Sequence, residues 1–370
     1  MTMPSETTLS AVVLAAGEGT RMRSERPKPL HRLCGRPMVL HVLYALAELE
    51  LERAVVVVGH EAARVTKSVG DQGPADLKLD FVEQEVQRGT GDAVLVALTA
   101  FPEDDTDDSD ILVLPGDTPL LRPPTVASLV RTHRREEAAA TVLTARLSNP
   151  AGYGRVVRDR NGMVARIVEH ADASEEELAV DEVNTSIYVF RRSVLAPALR
   201  RLTPDNSQGE FYLTDVIAVL HDAGYPVVSE VIDDPMEAAG VNDRHQLAVT
   251  EAELRDRINE RWMRRGVTMV DPEATYVDTT VELSADVVLY PGTHLQGSTR
   301  VAHGAELGPN TQLADCNVGE RAVVTATIGR NCEIGADAHV GPWAYLPPGT
   351  SVAPGTSTGP CFTGGAQDAP

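Results

Sequence analysis

Gly17, Gly19, Arg21, Arg23, Arg26 and Lys28 crowd one short stretch of the chain, AAGEGTRMRSERPKPLHRL. Glycines let the main chain come close to a ligand and point successive N–H groups at it, while guanidinium and ammonium groups neutralise charge that amides cannot. That combination suits a phosphate. The stretch is not a Walker loop, because it has no GK[ST] ending, and it lacks the third glycine of the dinucleotide fingerprint. Immediately before it, residues 9–15 form an apolar run interrupted only by Ser10, the length of a buried parallel strand. The anion loop is therefore expected at the carboxyl end of a strand.

The elements that must position it follow in alternation. Met38, Val39, Val42, Leu43, Leu46 and Leu49 recur at helical spacing after Pro37, and 62–69, 93–98 and 125–135 also read as helices. Residues 54–58, 77–82, 111–114 and 139–145 read as strands. This order predicts an α/β fold with a mostly parallel, doubly wound, Rossmann-like sheet, whose ligands lie beyond the carboxyl ends of its strands.

The loops at those ends carry further candidates. Gln84 and the Arg88-Gly89-Thr90-Gly91 turn could present donors and acceptors to the edge of a base, or could merely start a helix. Asp117, in Leu114-Pro115-Gly116-Asp117-Thr118-Pro119, could hold a hard divalent cation through oxygen, or only cap a turn. Over 149–189 strands replace helices, and Gly154, Glu169 and Asn184 stand at the margins of successive strands, where polar groups together could grip a sugar. The acidic run 103–110 reads as a solvated loop.

A charged amphipathic helix is predicted over 245–264, with Leu247, Leu254, Ile258 and Trp262 on one stripe. The period then changes to six. Leu283, Leu289, Leu295, Val301, Leu307 and Leu313 are evenly spaced, and after a slip the phase is expected to resume at Ile328, Ile334, Val340, Leu346 and Val352. Such hexapeptide repeats specify a parallel β-helix in which each apolar residue points into the coil. Residues 356–370, rich in Gly, Pro and Thr, are predicted to be a disordered tail.

At 370 residues the chain exceeds one comfortable core, so two domains are expected. With 54 acidic against 33 basic residues its formal net charge is -21, which argues against a general nucleic-acid or anionic-membrane binder. Cys34, Cys316, Cys332 and Cys361 form no CxxC pair and read as free thiols of a reducing compartment. There is no apolar signal core and no run of membrane-spanning length, so a cytoplasmic protein is expected.

LAAGEGTRMRSERPKPLHRL is similar to the signature of the sugar-phosphate nucleotidyltransferases, and Pro27, Lys28, Leu30 and His31 make it resemble most the uridylyltransferase half of the bacterial GlmU family. The resemblance implies a reaction between UTP and N-acetylglucosamine-1-phosphate. It implies Arg21 and Lys28 as catalytic residues and a nucleotide held by Leu14, Ala15, Ala16, Gly17, Gly19 and Thr20, with its base at Gln84, Gly89 and Thr90. It further implies a sugar held by Gly154, Glu169 and Asn184, and magnesium (Mg2+) on Asp117 and Asn242. The family's GE[FY]Y[LI]TD segment, here within 208–215, reads as mainly structural. By resemblance the coil is left-handed and assembles as a homotrimer. The domains implied are 1–244 for the nucleotidyltransferase, 245–266 for a linker helix and 267–355 for the β-helix. The match stops at the end: Tyr345 and Pro347 stand where the family has arginines, and the coils carrying its catalytic histidine and acetyl-coenzyme A contacts have no counterpart in this sequence. Acetyl transfer is therefore not expected. Two alternatives remain open: another nucleotide or sugar, such as dTTP or glucose-1-phosphate, and a non-catalytic subunit that senses sugar nucleotides. Intact Arg21, Lys28, Asp117 and Asn242 speak against the second.

Overall fold

The strand Ala54–Val58, AVVVV, is buried at every position, which requires a sheet covered on both faces. Successive side chains go to opposite faces. Ala54, Val56 and Val58 join Val13 and the helix residues Val39, Val42, Leu43 and Leu46 in one core, while Val55 and Val57 join Val12, Ala93, Val94 and Ala97 in another. The computed structural model describes residues 7–101 and 109–365. The chain divides into one unit of Met1–His31 with Pro37–Gln246, and a second of Arg32–Arg36 with Leu247–Pro370.

In the first unit the strands run in the order Val227–Val231, Ala140–Arg146, Glu182–Arg191, Asp110–Pro115, Leu9–Leu14, Ala54–Val58 and Leu79–Glu83. Leu9–Leu14 is parallel to both its neighbours. Glu182–Arg191 is antiparallel to each strand it pairs with among the described residues, so the sheet is mixed. That reversal matters for the site. Because Tyr188 pairs with Val113 and Arg191 with Asp110, the strand's beginning, at Asn184, lies at the same edge as the carboxyl ends of Asp110–Pro115 and Leu9–Leu14. A register shift between Asn184 and Ile187, with Ser186 at φ +64, re-aims the chain there.

The acidic run needs correction where it can be seen. Residues 103–108 lie outside the described residues, but Ser109 and Asp110 are buried, and Asp110 opens a strand while accepting from Arg134 Nε at 3.0 Å. A carboxylate whose partner comes with it need not stay in solvent.

Among the described residues the second unit has three parallel sheets of five short strands each, the faces of a left-handed parallel β-helix. The predicted inward residues Leu283 to Leu313, Ile334, Val340, Leu346 and Val352 form its core. Ile328 does not. It is 47% exposed, and Gly329 takes the inward place, paired with Leu313 and Leu346. The sides from Leu313 to Val318, Val324 to Gly329 and Gly329 to Ile334 are each one residue short of the six-residue repeat, so counting back in sixes from Ile334 misses by one. A Cβ on Gly329 would lie 2.8 Å from Leu313 Cδ2 and 3.1 Å from Cys332 Sγ; the neighbouring side chains already fill that space. Cys332 and Cys316, stacked on successive coils, have their sulfurs 3.2 Å apart, and all four cysteines are free.

The predicted disordered tail also needs correction. Over 356–365 the chain continues the coil: Ser357 bridges to His339 and Thr363 to Tyr345, and Gly364 is buried. Residues 366–370 lie outside the described residues. Small residues suit a tight coil as well as they suit disorder, which is why composition misled. The helix Arg244–Arg264 buries Ile258 and Trp262 in the β-helix core, and Leu254 packs against it. Among the described residues no helix is long and apolar enough to cross a membrane.

Candidate active site

The chain leaves Leu9–Leu14 into the predicted anion loop, whose tightest point is Gly19. Its φ of +63 is left-handed, and a Cβ there would lie 2.6 Å from Lys28 Cβ, so glycine lets the loop fold back onto the lysine. Buried Pro27 and Pro29 flank Lys28 and fix its stem in a single turn, Lys28–Leu30. Lys28 Nζ ion-pairs with the Asp117 carboxylate and donates to Asn242 Oδ1 at 2.9 Å. Arg21 Nη2 donates to the same Asn242 oxygen at 3.0 Å. Arg23 and Arg26, the other two cations of the loop, are exposed and do not line the cavity.

Asp117 and Asn242 are far apart in sequence, yet the Val241 N–H donates to the Asp117 main-chain oxygen at 3.0 Å and ties their loops together. Asn242 is not the cap of the helix that follows. That part is played by Asp243, whose Oδ1 accepts from the Gln246 N–H at 2.8 Å while Gln246 Oε1 accepts from the Asn242 N–H at 2.7 Å. The Asn242 side chain is thereby left to the site. One carboxylate and one amide oxygen converge on the ammonium of Lys28, the donor set of a hard cation that keeps several waters and takes further oxygens from phosphate. These two residues fit such an ion.

A cavity of about 740 Å³ opens above these groups. It is lined by Leu14, Ala15, Ala16, Gly17, Gly19 and Thr20, by Gln84, Gly89 and Thr90, by Gly154, Glu169 and Asn184, and by Lys28, Asp117 and Asn242. Arg21 reaches it only through Asn242. Gly89 has φ +109, and a Cβ would lie 2.6 Å from the Phe211 carbonyl oxygen, so no other residue fits that turn without a shift. The segment read as structural explains why: the Gly91 N–H donates to Phe211 O at 2.8 Å, Phe211 N–H to Arg88 O at 2.8 Å and Leu213 N–H to Thr90 Oγ1 at 3.0 Å. Thr90's hydroxyl thus helps to hold the turn.

Asn184 Oδ1 accepts from the Ser186 N–H at 3.0 Å and its Nδ2 donates to Tyr188 Oη at 2.8 Å, leaving one N–H and one lone pair for a ligand. The Asn184 N–H donates to Gly154 O at 2.9 Å. Glu169 Oε1 accepts from Thr214 Oγ1 at 3.2 Å. Burial raises the Glu169 pKa, the Thr214 hydroxyl offsets part of this, and the nearby Asp215 and Asp172 charges raise it further. Sequence reasoning missed Tyr153, Gln87 and Glu210, which also line the cavity, and Thr214, which holds Glu169. None sits in a motif that announces chemistry; Glu210 and Thr214 were hidden in a segment assigned to structure.

The nucleotidyl transferase family model matches residues 10–237. The bifunctional protein GlmU of Thermobifida fusca is 48% identical over 326 residues, 88% of this chain and 67% of that protein. That of Streptomyces avermitilis is 46% identical over the same shares, and that of Halalkalibacterium halodurans 44% identical over 88% of this chain and 69% of its own. The chain thus spans about two thirds of the length of these relatives.

Proposed function

The chain belongs to the GlmU family of nucleotidyl transferases, and on that premise we propose that it transfers UMP from UTP to N-acetylglucosamine-1-phosphate, releasing pyrophosphate. The observation that carries this reading is one cavity lined together by Gly17, Gly19, Thr20 and Lys28 of the glycine- and cation-rich loop, by Gln84, Gly89 and Thr90, and by Gly154, Glu169 and Asn184. An oxygen of the sugar phosphate attacks the α-phosphorus of UTP; a new P–O bond forms, the bond to the β-phosphate breaks, and its electron pair leaves with pyrophosphate. No covalent protein intermediate is needed, so catalysis rests on alignment and charge neutralisation. Gly17, Gly19 and Thr20 cradle the triphosphate with main-chain N–H groups, and Arg21 and Lys28 clamp it. Asp117 and Asn242 would hold magnesium, which supplies charge neutralisation at the transferring phosphoryl group. Gln84, Gly89 and Thr90 receive the base, and Gly154, Glu169 and Asn184 the acetylated sugar. We assign the enzyme to the cytoplasm. A screen of pyrophosphate release over nucleoside triphosphates and sugar 1-phosphates tests the assignment: UTP with N-acetylglucosamine-1-phosphate is expected to lead, and dTTP with glucose-1-phosphate leading would replace it.

Glu169 gives the sugar half a pH signature. Because burial raises its pKa, its charge is lost on acidification at higher pH than that of an exposed carboxylate. The KM for N-acetylglucosamine-1-phosphate is expected to climb before the KM for UTP does as pH falls. Glu169→Gln should raise the sugar KM about tenfold or more, the worth of a hydrogen bond to a charged group, and flatten that difference. A sugar KM that follows the UTP KM across the acid range counts against this role.

The β-helix supports self-association. Tyr276, His294, Gln312, Ile328 and Tyr345 stand in register down the outside of one sheet, and Tyr276, Ile328 and Tyr345 are 40–47% exposed. An exposed ladder with this much apolar and aromatic surface marks an interface. Light scattering is expected to give the mass of a trimer, and Ile328→Glu with Tyr345→Glu to reduce it to a monomer. A monomeric wild type contradicts this.

The relatives are named bifunctional. For the 370-residue polypeptide itself we propose uridylyl transfer alone: after Arg330 it has no lysine or arginine, and its one later histidine, His339, is exposed on the coil. Acetyl transfer needs a base for the amine proton and cations for the coenzyme's phosphates. Thiol release from acetyl-coenzyme A that depends on glucosamine-1-phosphate is expected to be absent; its presence would refute this.

A further inference from the structure

Gln84 is a buried side chain with every choice of orientation removed. Its Nε2 lies 2.8 Å from Asp92 Oδ2 and 3.2 Å from the Gly89 carbonyl oxygen. Both of those atoms are acceptors only. Turning the amide over would put its oxygen against two oxygens, one of them charged, so the nitrogen must face them and Oε1 is the atom left to present to the cavity that Gln84 lines. Asp92 is itself 7% exposed and is held in turn by Arg88, whose Nη2 donates to Asp92 Oδ1 at 2.7 Å. The Phe211 N–H donates to the Arg88 carbonyl oxygen and the Gly91 N–H to that of Phe211, which fixes the turn on which Arg88 stands.

From this geometry we propose that Asp92 sets base specificity by locking the Gln84 amide with its oxygen toward the base. An acceptor at that place is met by an N–H at ring position 3, which uracil and thymine carry. Cytosine offers a lone pair there, and two lone pairs face one another. The lock therefore rejects cytosine while treating uracil and thymine alike. Asp92 touches no substrate atom; it is a positioning residue. The inference rests on the uridylyl-transfer reading and adds to it the residue that chooses among pyrimidines.

Three triphosphates separate this role from a merely structural one. In wild-type enzyme kcat/KM is expected to favour UTP over CTP strongly, as buried hydrogen-bonding groups do when a substrate cannot pair with them. Asp92→Leu frees the amide to turn, and the UTP-to-CTP preference should fall by about tenfold or more, while the UTP-to-dTTP preference stays where it was. Asp92→Asn keeps the shape and guards against a folding defect. It offers a single oxygen, which the Arg88 guanidinium claims by a charge-assisted bond, so its NH2 faces Gln84 and the UTP-to-CTP preference should fall here too. Arg88→Ala leaves the carboxylate on Gln84 and should keep the wild-type preference. Unchanged UTP-to-CTP preference in both Asp92 variants, or an equal loss with all three nucleotides, overturns the proposal and leaves uridylyl transfer standing. A wild type that releases no pyrophosphate from UTP overturns both.

Discussion

Lys28→Ala is expected to lower kcat by about a hundredfold or more, the scale on which one preorganised charge-stabilising donor acts. The ammonium stands where the Asp117 carboxylate and the Asn242 amide oxygen meet, on a stem clamped between two buried prolines and packed against Gly19. An ammonium so held would meet the transferring phosphate without first being ordered, and that preorganisation is what alanine removes. Most of the loss should fall on kcat, with a smaller rise in the KM for UTP, because the charge it meets grows at the transition state. Lys28→Arg should rescue poorly: a planar guanidinium cannot fill the point that a compact ammonium fills between two oxygens. Steady-state kinetics decide it, and a wild-type kcat in Lys28→Ala would remove the lysine from the chemistry.

Asp117→Asn is expected to shift the magnesium dependence upward by about tenfold or more, since outer-shell groups alone are worth that much to metal sites. Of the two oxygen donors that meet at Lys28, only Asp117 carries a full negative charge, and a hard cation is held by charge count as much as by geometry. The substitution also leaves Lys28 without its counter-charge, so activity should remain low even at saturating magnesium. A titration of rate against magnesium concentration is the measurement. An unmoved midpoint would make Asp117 the cap of its turn and give the metal to another group.

The place of the loop from Gly17 to Lys28 at the cavity was legible because its glycines, its cations and the strand that presents them are contiguous in sequence. That Gly154, Glu169 and Asn184 would line one cavity was not legible from local pattern, since they meet through an antiparallel strand whose direction no such pattern specifies. Asp92 was invisible for a related reason. The part we propose for it is visible only once Gln84, eight residues earlier and outside the helix, is seen to donate to it. In the β-helix the period of six was read correctly, and failed at Ile328 where three short sides moved the phase. A hexapeptide count assumes equal sides; where sides are one residue short the inward place shifts, and at 329 the space left beside Leu313 and Cys332 takes a glycine in place of the usual Leu, Val or Ile.

The most direct test of the account follows the phosphorus. Wild-type protein given magnesium, N-acetylglucosamine-1-phosphate and UTP labelled at the α-phosphorus should yield labelled UDP-N-acetylglucosamine in amounts matching the pyrophosphate released, with neither product formed when either substrate is left out. Pyrophosphate without labelled sugar nucleotide, or no reaction with both substrates present, would contradict it.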